Sequence, residues 1–122
     1  MKIFKYRTFE RWARKQGMKD EDLEKAILEI QKGLVDAQLG GNVFKKRIGL
    51  HGKGKRGSHR TIILMKFSEI AIFVHGFSKG EKGNITKSEL SGFKELAEVF
   101  LNLSVGQVEE LVKNKSLIEV KK

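Results

Sequence analysis

Cysteine and proline are both absent from this chain of 122 residues. Without cysteine, disulfide frameworks, thiolate zinc sites, iron–sulfur clusters and cysteine nucleophiles are excluded. Long apolar runs are absent too, because no stretch approaches the roughly 18 residues of a membrane-spanning helix. The charges of Lys2, Lys5 and Arg7 also interrupt any apolar run of signal-peptide length. We therefore expect a cytoplasmic protein that has no membrane partner.

The composition is that of a packed domain. Apolar residues make up 39% of the chain, enough for one modest core, and the 33% of charged residues are mixed evenly among them. The length suits one domain better than two. We expect a single domain over residues 1–122.

Acidic residues are missing from residues 42–66, although the flanks are nearly balanced. Residues 1–41 carry nine basic and seven acidic side chains, and residues 67–122 carry eight of each. All charged residues of the middle segment are basic, namely Lys45, Lys46, Arg47, Lys53, Lys55, Arg56, Arg60 and Lys66. Such a cluster is typical of a surface that binds phosphates or another acidic partner. A basic surface that contacts only solvent is the alternative interpretation.

The periodicity predicts an α+β fold, a small antiparallel sheet of three to five strands flanked by N-terminal and C-terminal helices. Alternating apolar residues indicate strands over 2–6, 43–50, 59–67, 70–77 and 117–120. A helix with Thr8 as N-cap should end at Gly17, and Asp20 should cap a second helix. Capping boxes begin at Thr86 and Ser104 and predict two further helices.

Two basic strands are expected to meet on one face of the sheet. Side chains alternate along a strand, so Lys45 and Arg47 share one face. In the next strand Arg60 lies near the start and shares a face with Ile62 and Leu64. If these faces coincide, the three cations converge on one surface. Lys79 and Lys82 follow the strand over 70–77, and they reach the same end of the sheet if the strand directions alternate.

Several kinds of site find no support. The glycines at positions 52, 54 and 57 do not have the spacing of a nucleotide-binding P-loop between a strand and a helix. His51, His59 and His75 lack partners at metal-ligand spacing, and no Ser-His-Asp set is readable. We expect neither a metal nor a cofactor.

Three segments resemble the RelE/HigB-type toxins of bacterial toxin–antitoxin pairs. They are residues 40–48 (GGNVFKKRI), 52–62 (GKGKRGSHRTI) and 76–85 (GFSKGEKGNI), and their order and spacing match over about residues 9–120. The resemblance implies a compact sheet flanked by helices and an endoribonuclease that cleaves messenger RNA, usually in the ribosomal A site. It also implies a co-expressed antitoxin, expected to be acidic or of helix-turn-helix type.

The resemblance also implies roles for individual residues. Arg60 matches the arginine that contacts the scissile phosphate, Lys82 stands where many members have arginine, and Lys45 and Arg47 lie on a strand that often supplies further cations. Two positions depart from the family pattern. His59 replaces an aromatic residue that is commonly tyrosine, and Thr86 stands near the catalytic tyrosine of some members.

These residues suit attack by a ribose 2′-hydroxyl on the adjacent phosphorus, which leaves a 2′,3′-cyclic phosphate and needs no metal. Arg60 is expected to stabilise the transition state, because its planar guanidinium binds two phosphate oxygens and stays protonated. Like-charge repulsion eases deprotonation of a lysine, so Lys45, Lys55 and Lys82 are candidates for the general base. A histidine, His51 or His59, is a candidate acid. The expected RNA contacts are Arg47, Lys53, Arg56, His59 and Lys79.

Two other functions remain open at this point. A ParE-like toxin would inhibit a topoisomerase by binding it, on the same fold and without cleaving nucleic acid. A non-catalytic RNA-binding module is the second alternative, because the catalytic tyrosine is missing. The basic residues around Arg60 favour RNA cleavage over topoisomerase binding, since a protein-binding toxin needs no converging phosphate ligands.

Overall fold

The structure is a computed structural model that describes residues 1–49, 59–78 and 83–121. In these residues four helices and six strands follow one another along the chain. Their order is β1 (Lys2–Tyr6), α1 (Arg7–Gln16), α2 (Asp20–Gln31), β2 (Ala37–Gly40), β3 (Val43–Arg47), β4 (His59–Lys66), β5 (Ile70–Ser78), α3 (Lys87–Phe100), α4 (Val105–Lys113) and β6 (Leu117–Glu119).

The six strands form one open sheet in the order β2-β3-β4-β5-β1-β6. The predicted α+β class, with helices before and after the central strands, is confirmed. Two details differ from the prediction: the sheet has six strands rather than three to five, and β1 pairs with β5 in parallel. Ile3 and Phe4 of β1 are both buried, which fits an interior strand covered on both faces.

β2 is the strand that the sequence pattern missed. Its four residues contain a glycine and lack a clear apolar alternation. It forms because the chain turns back tightly onto β3: Gly40, Gly41 and Asn42 all have positive φ angles, of 87°, 60° and 64°. Glycine and asparagine adopt this left-handed conformation most readily.

Both predicted capping boxes are present. The Thr86 hydroxyl accepts a hydrogen bond from the Glu89 amide at 3.0 Å, and the Glu89 carboxylate accepts one from the Thr86 amide at 2.7 Å. Ser104 and Gln107 make the same exchange at the start of α4. α1 ends at Gly17 as predicted. Along the described parts of the chain, no helix combines the length and the apolar content needed to cross a membrane.

The N-caps of the first two helices lie two residues and one residue before the predicted caps. The N-caps are Tyr6 and Lys19 rather than Thr8 and Asp20. At α2 the Asp22 carboxylate accepts a hydrogen bond from the Lys19 amide at 2.8 Å. The aspartate therefore satisfies an orphan amide from inside the first turn, where acidic groups also favour the helix dipole.

Apolar residues form one core on each face of the sheet. On one face, α1 and α2 pack residues such as Phe9 and Ile27 against Ile63 and Phe73. On the other face, α3 and α4 cover strand residues such as Ile62, Leu64 and Ile72. We call these two sides the N-helix face and the C-helix face.

A β-bulge in β5 changes the alternation of its side chains. Ile62 of β4 pairs with His75, whereas the next residue, Ile63, pairs with Phe73, so Val74 is the extra residue. Both Val74 and His75 lie on the C-helix face: Val74 belongs to its core, and the His75 ring lies 5.4 Å from that of Phe93 in α3. A bulge places two consecutive side chains on one side of a strand in this way.

Candidate functional site

Two arginines stand side by side on the C-helix face, at one end of the sheet. Arg47 of β3 pairs directly with Arg60 of β4, and Arg60 pairs in turn with Phe77 of β5. Residues that pair across strands share a face, and their Cβ atoms lie about 5 Å apart. The two arginine side chains therefore project from neighbouring backbone positions on the same face. Their positive charges add to form a local positive field.

Lys45 belongs to the same face, one step further from this end. It pairs with Ile62 on one side and with Ala37 of β2 on the other, and it is half-buried. The next pair beyond it is Val43 with Leu64, and both of these side chains are buried. The face thus changes from apolar to cationic along β3. The structure brings Lys45, Arg47 and Arg60 together as the alternation predicts.

Lys46 points to the opposite face and has a structural partner. Its ammonium lies 2.9 Å from a carboxylate oxygen of Glu29 in α2 and donates a hydrogen bond to the Leu34 carbonyl at 2.7 Å. The Lys46 carbonyl in turn accepts a hydrogen bond from the Thr61 hydroxyl at 2.9 Å. One cation of the acid-free segment is therefore compensated from within the fold, and it fixes β3 to α2.

A second acidic residue fixes the end of β3. The Asp36 carboxylate accepts a hydrogen bond from the backbone amide of Arg47 at 2.5 Å. Asp36 immediately precedes β2, so this side-chain bond extends the contact between β2 and β3 beyond the pair Ala37 and Lys45. The sequence gives no local signal for the Asp36 or Glu29 contacts, because both join residues more than ten positions apart.

His59 lies on the N-helix face rather than beside Arg60. Its Nε2 atom is 3.1 Å from the Gln16 side-chain oxygen of α1, and its ring is 5.9 Å from that of Trp12. Consecutive strand residues face opposite sides, so the position next to Arg60 along the chain is turned away from it. The structure does not bring His59 to the arginine pair.

The other predicted site residues fall outside the described residues. These are His51, Lys53, Lys55, Arg56, Lys79 and Lys82. The strand ends that flank them are described. β3 ends at Arg47 beside the start of β4, and His59 pairs with Ser78 at the end of β5. Strand directions therefore alternate as the prediction required, and residues 50–58 and 79–82 both connect to this end of the sheet.

Among the described residues, no three His, Asp or Glu side chains lie close enough together to hold a metal ion. The cationic residues that share this end of the C-helix face are Arg47, Arg60 and Lys45. Such groups bind anionic oxygens, and arginine in particular matches the geometry of a phosphate.

The chain is similar to a known protein family. A family model described as the RelE toxin of the RelE/RelB toxin–antitoxin system matches residues 1–120. The match covers all six strands and all four helices described above. No curated protein sequence matches the chain.

Proposed function

Because the chain belongs to the RelE toxin family, we propose that this toxin is a metal-independent endoribonuclease that cleaves messenger RNA. Family membership makes it the toxin component of a toxin–antitoxin system and makes an antitoxin protein its partner. The observation that carries the nuclease proposal is the direct pairing of Arg47 with Arg60 at a cationic end of the C-helix face.

The proposed reaction is an internal transfer at one phosphodiester. The ribose O2′ forms a bond to phosphorus as a base takes its proton, and the bond from phosphorus to O5′ breaks as an acid gives O5′ a proton. The products are a 2′,3′-cyclic phosphate and a 5′-hydroxyl. Negative charge accumulates on the non-bridging oxygens in the transition state, so fixed cations stabilise it more than the ground state.

Arg60 and Arg47 have the geometry for this stabilisation. Arg60 belongs to β4, which pairs with β5 at Phe77 and with β3 at Arg47, so a neighbouring strand supports its position on each side. We assign Arg60 to the scissile phosphate and Arg47 to the same or the adjacent phosphate. Lys45 is the described candidate for the base, and Lys55 and Lys82 are candidates outside the described residues.

The remaining RNA contacts are proposed from the sequence. Lys53, Arg56 and Lys79 belong to the two segments that connect to the arginine end of the sheet, and we assign them to phosphates flanking the cleaved bond. We further propose that cleavage takes place on messenger RNA bound in the ribosome.

The test compares purified variants in cleavage of one messenger RNA, free and bound to ribosomes. Arg60→Ala should lower the cleavage rate by about 10²- to 10³-fold, the usual loss when a donor to the transition state is removed. Arg60→Lys keeps the positive charge but loses the planar group that binds two phosphate oxygens at once. Its cleavage rate should therefore lie between those of Arg60→Ala and the wild type. Lys25→Ala removes an exposed cation of α2 and serves as the control.

The products and the cellular phenotype separate the alternatives. Cleaved messages with 2′,3′-cyclic phosphate ends support the proposal, and cleavage only in the presence of ribosomes supports ribosome dependence. Induced expression that gives damaged DNA with intact messages would refute it in favour of topoisomerase inhibition. RNA binding without cleavage under either condition would leave a non-catalytic binding module.

A further inference from the structure

We propose that α1 carries a second RNA-binding surface, which holds the phosphate backbone of double-helical RNA. The α1 basic surface consists of four cations of the helix and two from the C-terminal region, namely Arg7, Arg11, Arg14, Lys15, Lys115 and Lys121. The choice of RNA as the ligand rests on the proposed function. The surface itself is separate from the arginine pair, because α1 packs on the N-helix face.

Helical spacing aligns three of these cations. Arg7, Arg11 and Arg14 are separated by four and three residues, so they lie along one side of α1. With a rise of about 1.5 Å per residue they span roughly 10 Å. The other side of the helix holds Phe9 and Ala13 in the core. All three arginines are exposed, and the packing fixes the helix that carries them.

The acidic groups at this surface are already engaged in ion pairs, one of them with Arg14 of the surface itself. Glu10 lies 3.1 Å from the Lys5 ammonium and 3.0 Å from Arg14, and Glu119 lies 3.9 Å from Lys2. Within residues 1–49, 59–78 and 83–121, no ion pair forms at the remaining cations of the surface, namely Arg7, Arg11, Lys15, Lys115 and Lys121. The surface therefore keeps a net positive charge that an external anion can neutralise.

A cleft of about 730 Å³ runs between α1 and the C-terminal elements and joins these cations into one surface. Lys115 follows α4 and Lys121 follows β6, so cations from three parts of the chain border the same cleft as α1. A ligand that follows the cleft meets positive charge on both sides.

The character of α1 favours RNA over a protein or a membrane. The exposed residues of α1 are all polar, whereas Phe9 and Ala13 are buried and Trp12 is partly buried against the same core. The apolar residues that also line the cleft, Val112, Leu117 and Ile118, are themselves buried or partly buried. A stable protein interface needs an apolar centre, and a membrane-binding helix needs an exposed apolar face. A polyanionic backbone needs neither, because its binding is driven by the release of counterions.

The position of the surface favours a second stretch of RNA, distinct from the cleaved strand. The sheet separates α1 from Arg47 and Arg60, so one phosphodiester cannot contact both sites. Cations at fixed intervals on a rigid helix match the regular phosphate spacing of a duplex better than a flexible single strand. Proteins commonly recognise double-stranded RNA through such backbone contacts.

The experiment measures binding of an RNA duplex of about 16 base pairs as a function of salt. The test variant is Arg7→Gln/Arg11→Gln. The matched control is Lys25→Gln/Lys32→Gln, which removes the same charge from one exposed position of α2 and from its exposed C-cap. Each lost phosphate contact should reduce affinity about eightfold near 0.1 M salt and lower the slope of log affinity against log salt by about 0.9. The control should change both quantities much less.

Equal effects of the two variants would overturn the inference, since only total charge would then matter. The inference would also be overturned if Arg7→Gln/Arg11→Gln bound poly-glutamate or anionic lipid vesicles more weakly than the wild type but bound the RNA duplex equally well. Cleavage distinguishes the two proposals. If the wild type cleaves no RNA while the Arg7/Arg11 variant still loses duplex affinity, the nuclease proposal fails and this inference stands.

Discussion

The buried ion pair between Lys46 and Glu29 allows a quantitative prediction about the free energy of unfolding. Only 5% of the Lys46 side chain and 16% of the Glu29 side chain are exposed, and their charged atoms lie 2.9 Å apart. Removing one partner of such a pair leaves the other charge in a poorly solvated position, which costs about 3 kcal/mol or more. Lys46→Met should therefore lower the free energy of unfolding by about 3 kcal/mol, a large share of the ~5–15 kcal/mol that holds a typical domain folded.

The double variant should be far less harmful. Lys46→Met/Glu29→Met replaces both charges by apolar groups of similar length, a change that is often close to neutral. Urea unfolding of the wild type, both single variants and the double variant gives the coupling energy of the pair, which we expect to be about 2 kcal/mol or more.

An exposed pair in the same protein provides the control. Lys2 and Glu119 lie 3.9 Å apart, with side chains 72% and 45% exposed. A surface pair of this kind contributes between ~0 and 1 kcal/mol and weakens with salt. If the Lys46–Glu29 coupling is no larger than that of Lys2–Glu119, burial does not strengthen the pair, and the assignment of Lys46 as the anchor of β3 is wrong.

Three further substitutions test the packing and the helix ends, each by urea unfolding. Gly76→Ala would place a Cβ atom only 2.2 Å from the Trp12 ring, so it should destabilise the fold by about 1–3 kcal/mol; an unchanged midpoint would contradict this close packing. Thr86→Ala removes the hydroxyl that accepts from the Glu89 amide and should cost about 1 kcal/mol, whereas Thr86→Ser should retain most of it. Lys115 has a φ of 67° just after α4, so Lys115→Gly should stabilise the protein by about 0.5–1 kcal/mol; a loss of stability would show that the side chain matters more than the backbone.

Local signals in the sequence predict the starts of α3 and α4, the end of α1 and most strands. The capping boxes at Thr86 and Ser104 are complete within four residues, so no distant contact is needed to recognise them. The alternation along β3 likewise separates Lys45 and Arg47 from Lys46. These features depend on neighbours in the chain, and such neighbours are visible in the sequence.

Features that depend on distant partners are not visible in this way. The sequence does not show that Glu29 meets Lys46, or that β1 enters the sheet parallel to β5. The bulge at Val74 interrupts the two-residue period without a glycine or proline to mark it. The placement of His59 against α1 follows from the helix packing, which local periodicity does not determine.

The interior position of β1 has a consequence for folding during synthesis. Residues 2–6 are made before both of their partner strands. Ile70 of β5 lies 68 positions after its partner Lys2, and Glu119 of β6 lies 115 positions after its partner Phe4. Pairings between such distant segments form slowly, because a long loop must close before any bond is gained. The ribosome must therefore release the chain as far as β6 before the interior strand β1 acquires both neighbours, and a nascent chain that stops short of β6 cannot complete the sheet.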